Sequence, residues 1–292
     1  MSLIIKTIYH LSPFNLSGDL SKRLTDAKGN FISCLICSAR KSSFIEQLLT
    51  DLSQQNLEKD QFEIIILDNS LDGLEKSIKK YTELIPIKCV RNTSTDGNLG
   101  HFKNELLSKA QGSYILFLDD DTRLLQKDFL KKTLYLFKQF DPDILLPYGK
   151  PLICPDIPHY KFLDPYSLAT RCCVYKRSIL ETMGGFRGSI TAYEDIELGI
   201  RCSLWGAKIL KTTKLEYHHP SLFFNSLQKP LAIGQSILKL KDHYPWHVWI
   251  LIYLNALRFF PFILIPTIKN RQWFKISLGV LIAPWIKKRY TY

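Results

Sequence analysis

Three consecutive carboxylates, Asp119, Asp120 and Asp121, follow directly on an apolar run of strand length, Tyr114 to Leu118. Acids side by side repel one another unless a cation or a set of donors compensates. Asp oxygens are hard ligands suited to Mg2+ or Mn2+, and a cation held there could neutralise charge on a phosphate-bearing substrate. The same residues also fit a plain turn in which Asp121 or Thr122 caps a helix beginning near Leu124. A second acidic pair, Glu194 and Asp195, stands at the head of a helical stretch running to Trp205 and follows the turn at Gly184 and Gly185. Acids at that position could simply favour the helix start. His218 and His219 precede Pro220, and either metal ligation or a surface turn accounts for them.

These groups need a scaffold, and the hydrophobic pattern describes one. Phe31 to Cys37, Phe62 to Leu67, Ile87 to Arg91 and Tyr114 to Leu118 read as strands. Ser42 to Gln54, Leu74 to Leu84 and Asn98 to Ala110 read as the helices between them. Strands alternating with helices imply an α/β fold with a mostly parallel sheet covered on both faces. Mixed α/β structure continues through a helix at Leu124 to Phe140, strands at Asp143 to Leu146 and Arg171 to Tyr175, the helix Glu194 to Trp205 and a strand region from Lys208 to Tyr217. In such sheets ligands bind beyond the carboxyl ends of the strands. The polar ends Ser38 to Lys41, Asp68 to Ser70 and Asp119 to Asp121 would therefore share one rim.

Taken in order, the stretches Ile32 to Ser38, Phe62 to Ser70, Ala110 to Asp121, and Gly184 to Phe186 with Glu194 and Asp195 resemble the family 2 glycosyltransferases. The resemblance covers roughly residues 31–225. It implies the GT-A fold, a Rossmann-like mixed sheet flanked by helices, and transfer of a sugar from a nucleotide-sugar donor to a hydroxyl acceptor with inversion. By the same resemblance Ser38, Arg40, Asp68, Asn69, Lys103 and Asp120 would contact the donor. Asp119 and Asp121 match the D-x-D motif that holds Mn2+ or Mg2+, and His218 or His219 would add a further metal or diphosphate contact. Asp195 matches the general base. Lys103 is open to a second reading as an exposed helical lysine, and Trp205 reads as packed between helix and sheet. The loop after the second strand departs from the family, with Asn69 where a second acid is frequent. Two other functions fit an α/β scaffold of this kind. A sugar-phosphate nucleotidyltransferase usually needs a Gly-rich basic loop after the first strand, and Ser38 to Lys41 has no glycine. A non-catalytic, membrane-associated protein keeping the fold is disfavoured by the retained Asp119, Asp121 and Asp195.

Composition supports a large core: of 292 residues 46% are hydrophobic and 23% charged. The net charge of +12 suits a membrane surface or an anionic substrate. No zinc-finger or RNA-recognition signature is present, so no nucleic-acid partner is expected. The seven cysteines are irregularly spaced, and neither Cys34 with Cys37 nor Cys172 with Cys173 has a second pair to complete a zinc site. Buried thiols in a reducing, cytoplasmic compartment are expected, and no signal peptide is visible. Residues 1–30 read as an N-terminal extension, 31–225 as the GT-A domain and 226–292 as a C-terminal helical region. From His243 onward seven residues are Lys or Arg and none is acidic, and His247 to Ile265 is nearly all apolar. That tail fits helices lying on the inner face of the cell membrane, with Trp246, Trp249, Trp273 and Trp285 at headgroup level and a lipid-linked or surface-glycan acceptor nearby. It fits equally a hydrophobic subdomain packed on the core or on a second copy in a homodimer.

Overall fold

A computed structural model describes residues 2–20, 24, 27–38, 42–69, 73–92, 97–150, 170–220, 226–264 and 268–286. Helix α1 (Ser2–Leu11) precedes a run of alternating elements: β1 (Lys28–Ser38), α2 (Ser42–Ser53), β2 (Phe62–Asp68), α3 (Glu75–Lys79), β3 (Ile87–Arg91), α4 (Leu99–Lys109) and β4 (Gly112–Asp119). The chain continues through β5 (Arg123–Leu124), α5 (Phe129–Phe140), β6 (Ile144–Lys150), β7 (Cys172–Lys176), α6 (Arg177–Thr182), α7 (Glu194–Trp205) and β8 (Ile209–His218). It ends in α8 (Gln228–Lys239), α9 (Trp246–Ala256), a 3-10 helix over Leu257–Leu264 and α10 (Ile268–Ile282).

The strands form one sheet in the order β3-β2-β1-β4-β7-β6-β8-β5. Pairing is parallel from β3 through β4. It becomes mixed beyond, where β7 runs antiparallel to both neighbours. The chain winds outward from β1 to β3 and then returns to place β4 on the other side of β1. The crevice between β1 and β4 is thus a topological switch point, where open α/β sheets bind ligands. Register aligns the rim there: Ser38 pairs with Asp68, Cys37 with Asp119, and Asp68 with Arg91.

Alternation along the strands feeds two cores. Leu35, Ile65, Leu67, Ile115 and Phe117 face one side, against α4, α6, α7 and the C-terminal helices. Cys34, Ile36, Ile64, Ile66, Leu116 and Leu118 face the other, against α2, α3 and α5. β2 is buried along its whole length, and its sequence is apolar without a break from Ile64 to Leu67. Ile5 of α1 and Ile237, Val248, Ile252 and Val280 of the C-terminal helices join the first core. Both ends of the chain therefore pack on the same body as the sheet.

Several sequence expectations need correction. The helix expected from Leu124 begins at Phe129, with Asp128 before it, and Arg123–Leu124 is a short strand instead. Neither Asp121 nor Thr122 caps a helix. The bonded partner of the Leu124 backbone N–H is Asp51 Oδ2 at 3.0 Å, and Arg123 donates to the same carboxylate at 2.6 and 2.8 Å. Those side-chain bonds override the local apolar spacing. The helix expected over Leu74 to Leu84 is only Glu75–Lys79, followed by turns. The long apolar tail segment breaks after Ala256 into a 3-10 helix containing Pro261, since proline cannot continue an α-helix ladder. Trp205 is not sandwiched between helix and sheet but sits exposed at the end of α7. Among the described residues no helix is long and apolar enough to cross a membrane.

Candidate active site

The acidic turn after β4 is fixed by its backbone. The Asp119 N–H donates to the Arg171 carbonyl at 3.3 Å, and the Thr122 hydroxyl donates to the same oxygen at 2.7 Å. The three side chains then divide. Asp120 points to the end of β1 and accepts from the Ser38 hydroxyl at 3.1 Å. Asp119 and Asp121 point the other way, to His219 Nε2, at 3.3 and 3.1 Å. The little strand β5 makes that meeting possible: Arg123 pairs with His218 and Leu124 with Tyr217, so the end of β8 lies alongside the acidic turn. His219 is the histidine that joins the two aspartates, whereas His218 stays in the strand and outside the group.

His219 faces Pro220 through Nδ1, 2.7 Å from its carbonyl oxygen. A carbonyl only accepts, so Nδ1 carries a proton, and with that tautomer of the neutral imidazole Nε2 would offer a lone pair toward the two carboxylates. Nε2 is buried and makes no hydrogen bond. A lone pair and two carboxylates converge within 4.8 Å, the hard nitrogen-and-oxygen donor set a divalent cation takes, with the second ring nitrogen oriented by a backbone carbonyl. The residues present therefore fit a metal ion. Burial raises the pKa of the Asp119 carboxyl, but its contact with His219, with Lys103 and Arg171 nearby, outweighs it and holds the group well below the usual carboxylate range.

The second cluster stands at the start of α7. Lys103 is buried and not the exposed helical lysine that its spacing allowed. Its ammonium donates to Glu194, in a very short contact, and to the Thr170 hydroxyl at 2.5 Å. Burial disfavours the ammonium, yet Glu194, Asp195 and Asp119 together raise its pKa and keep it charged. The neighbouring Asp195 accepts from the Thr170 N–H at 3.1 Å and from the Ile196 N–H at 2.8 Å. Lys103 thus feels both acidic groups and anchors the pair that contains Asp195. Tyr193, just before them, is held at φ 131, a strained conformation for a residue with a side chain. Lys229, at the start of α8, lies within electrostatic reach of Asp119, Arg171, Glu194 and Asp195, and burial lowers its pKa.

Of the other expected site residues, Asp68 is buried and its Oδ2 accepts from Arg91 at 2.8 Å and from the Leu74 N–H at 3.1 Å. Asn69 lies beside it, bonded through its N–H to the Ser38 carbonyl at 2.7 Å and through its side chain to Asn92 at 2.9 Å. Ser38, Asp68, Asn69 and Asp120 therefore share the rim of β1 and β2. Arg40 lies outside the described residues. Thr170, Arg91 and Lys229 escaped sequence reasoning. Arg91 could have been found, because it ends β3 at the same rim, whereas nothing in sequence marks Thr170 or Lys229.

Cys34 and Cys37 are free, as are the other described cysteines. Burial pushes the Cys37 thiol up to about 12, so it stays protonated beside the acidic rim. The Gly184–Gly185 turn has a structural role. Both residues adopt positive φ, and the chain at residues 18–20 bonds along it, with Gly18 N–H to the Met183 carbonyl at 2.7 Å. A Cβ on Gly18 would meet the Gly185 oxygen at 2.5 Å, so this approach requires glycine.

Residues 33–148 match the family model described as glycosyl transferase family 2. The stretch from β1 to β6 is thus similar to that family. Over 115 residues it is 27% identical to the poly(ribitol-phosphate) beta-N-acetylglucosaminyltransferase TarS of Staphylococcus aureus, a match covering 39% of this chain and 20% of that protein. Over 95 residues it is 34% identical to the poly(ribitol-phosphate) beta-glucosyltransferase of Bacillus spizizenii, covering 31% of this chain and 14% of that one. The match thus spans a fifth or less of the length of these curated relatives. Among solved structures, S. aureus TarS 1-349 with UDP-GlcNAc superposes with a TM-score of 0.62 at 18% identity, covering 87% of this chain and 81% of that one. The mannosyltransferase PcManGT of Pyrobaculum calidifontis, with GDP-Man and Mn2+, gives a TM-score of 0.63 at 13% identity, covering 98% and 94%. These likenesses establish the GT-A fold, mixed β-sheet included.

Proposed function

We propose that the protein is a metal-dependent, inverting glycosyltransferase that moves a sugar from a nucleotide-sugar donor to a hydroxyl of a surface-glycan or lipid-linked precursor. The observation that carries this reading is the convergence of Asp119, Asp121 and the His219 lone pair at the sheet's switch point, with a separate carboxylate, Asp195, at the head of α7. Relatives with UDP-GlcNAc or with GDP-Man and Mn2+ support a nucleotide-sugar donor. Both curated relatives glycosylate a poly(ribitol-phosphate), which supports a surface-glycan acceptor.

Asp119, Asp121 and His219 would hold the cation, which when bound supplies positive charge to a diphosphate leaving group. The rim formed by Ser38, Asp68 and Asn69 binds the nucleoside end, with Asp120 fixed by Ser38. Lys103 acts as a positioning residue: by pairing with Glu194 and Thr170 it holds the segment that presents Asp195. Asp195 takes the proton from the acceptor hydroxyl, which is a poor nucleophile until relieved of it. A single base facing the sugar from the side opposite the leaving group gives inversion. Lys229 and Arg171 add positive potential beside Asp119, suited to a phosphate-bearing donor or acceptor.

Calorimetric titration with UDP, GDP, dTDP and CDP, each with and without Mn2+, tests the reading. Binding of one nucleotide that requires Mn2+ is expected. A folded protein that binds none of them, with metal present, contradicts it.

A further inference from the structure

Helix α9 is apolar on every side, with no charged residue from Trp246 to Ala256. Its inner face is accounted for: Val248, Ile252 and Ala256 lie in the core, and the Trp249 indole donates to the Ile237 carbonyl at 2.9 Å. Trp273 is likewise buried, its ring 4.4 Å from that of Phe259. The tryptophans expected together at a membrane surface are therefore divided, with Trp246 and Trp285 outside and Trp273 inside. On the outer face of α9, Trp246, Ile250 and Leu254 follow one another at helical spacing and are 72%, 37% and 51% exposed. The 3-10 helix that follows adds Phe260, Ile263 and Leu264, the last 81% exposed.

A helix that is hydrophobic all round belongs in a protein core or in lipid. At 11 residues α9 is too short to cross a bilayer. Its outer face therefore calls for shallow cover. The charge near it selects the cover: Arg258 follows α9 and Arg271 and Lys275 lie on α10, and the sequence has no acidic residue from His243 onward. A second copy of the same surface would set like charge against like, while an anionic bilayer supplies the complement.

We propose that the outer face of α9 and of residues 257–264 is a membrane-docking surface, seated in the headgroup region of an anionic bilayer with α9 lying in the interfacial plane. Trp246 would sit at headgroup level and Ile250, Leu254 and Leu264 just below it, an insertion of about 5–10 Å. α8 connects this surface to the acidic cluster, beginning at Lys229 beside Asp119 and leading toward α9. Its 12 residues span about 18 Å, so the rim stands within reach of an acceptor anchored in the same leaflet. The docking surface rests on the C-terminal helices and does not depend on the transferase reading.

The test is flotation of the full chain with vesicles of phosphatidylglycerol and phosphatidylcholine, against phosphatidylcholine alone, at low and high salt. Alongside it, light scattering measures mass without lipid. The wild type should float with the anionic vesicles, lose most of that binding in high salt, and be a monomer. Replacing the outer face (Trp246→Glu, Ile250→Glu, Leu254→Glu) should reduce flotation by roughly tenfold or more while the circular dichroism spectrum is unchanged. If that variant does not fold, quenching of wild-type tryptophan emission by brominated anionic lipid takes its place, and part of the quenching should vanish in Trp246→Phe. Absence of flotation, flotation unchanged by the triple substitution, quenching unchanged in Trp246→Phe, or a dimer that the triple substitution splits would each overturn the proposal.

Discussion

Two acidic sites in this molecule differ in what meets their carboxylates. Glu197, one turn into α7, accepts from Arg187 at 2.7 Å, from Arg201 at 2.8 Å and from the Tyr244 hydroxyl at 2.9 Å. Arg201 in turn donates to the carbonyls of Leu16, Met183 and Gly185. Charge is matched by charge, and the network ties the N-terminal segment, the glycine turn, α7 and the C-terminal helices together. In the other cluster, Asp119 and Asp121 converge on the Nε2 of a single histidine, His219, with no guanidinium bonded between them. The first cluster is complete as it stands and holds the fold. The second, in the function proposed for it, takes a cation, and the difference in partners is what separates a structural acid from a functional one here.

The largest expected effect comes from unbalancing the balanced cluster. Glu197→Gln leaves two buried guanidiniums without their counter-charge and should lower unfolding free energy by about 3–5 kcal/mol in urea titrations. Burial raises the Glu197 carboxyl, but Arg201 and Arg187 outweigh it and depress its pKa. Its contribution is therefore present above the ordinary carboxylate range and is lost as pH falls through the depressed value. The stability gap between wild type and Glu197→Gln should narrow in acid; a gap constant from neutral pH into acid would refute the ion-pair account.

Asp195→Asn should lower kcat by about 100-fold or more, equivalent to roughly 2.7 kcal/mol, with nucleotide affinity unchanged. Normal turnover in that variant would remove Asp195 as the base. Asp121→Asn sharpens the comparison from the other side. It should not destabilise the metal-free protein as Glu197→Gln does, because it relieves a cluster short of positive charge. It should instead erase the gain in thermal stability on adding Mn2+, about 2.7 kcal/mol at a hundredfold excess over Kd. A metal-free Asp121→Asn protein as unstable as Glu197→Gln would show that the two clusters are not different in kind. The smallest effect belongs to Trp205→Ser, within about 0.5 kcal/mol, because the ring is exposed at the helix end.

The rim was legible in the sequence because strand period and strand ends obey local rules. Apolar runs in Phe62 to Leu67 and Tyr114 to Leu118 mark buried strands, and the polar residues that follow must lie at the carboxyl edge. The α7 start was equally plain from Glu194 and Asp195. Choosing between His218 and His219 was not possible, because the choice is made by β5, a two-residue strand fixed by a bidentate contact from Arg123 to Asp51 across the fold. The same long-range contact cancels the helix that local spacing suggests at Leu124. Thr170 was invisible for a related reason: its role comes from backbone and hydroxyl contacts to side chains 25 and 67 residues away. Lys103 showed its position on a helix but not its burial, which depends on the partner that α7 brings to it.

The most direct test of the unbalanced cluster is a calorimetric titration of Mn2+ into the wild type, His218→Asn and His219→Asn at neutral pH. The account predicts one high-affinity site in the wild type and in His218→Asn, and its loss in His219→Asn. Equal affinity in His219→Asn, or loss confined to His218→Asn, would contradict it.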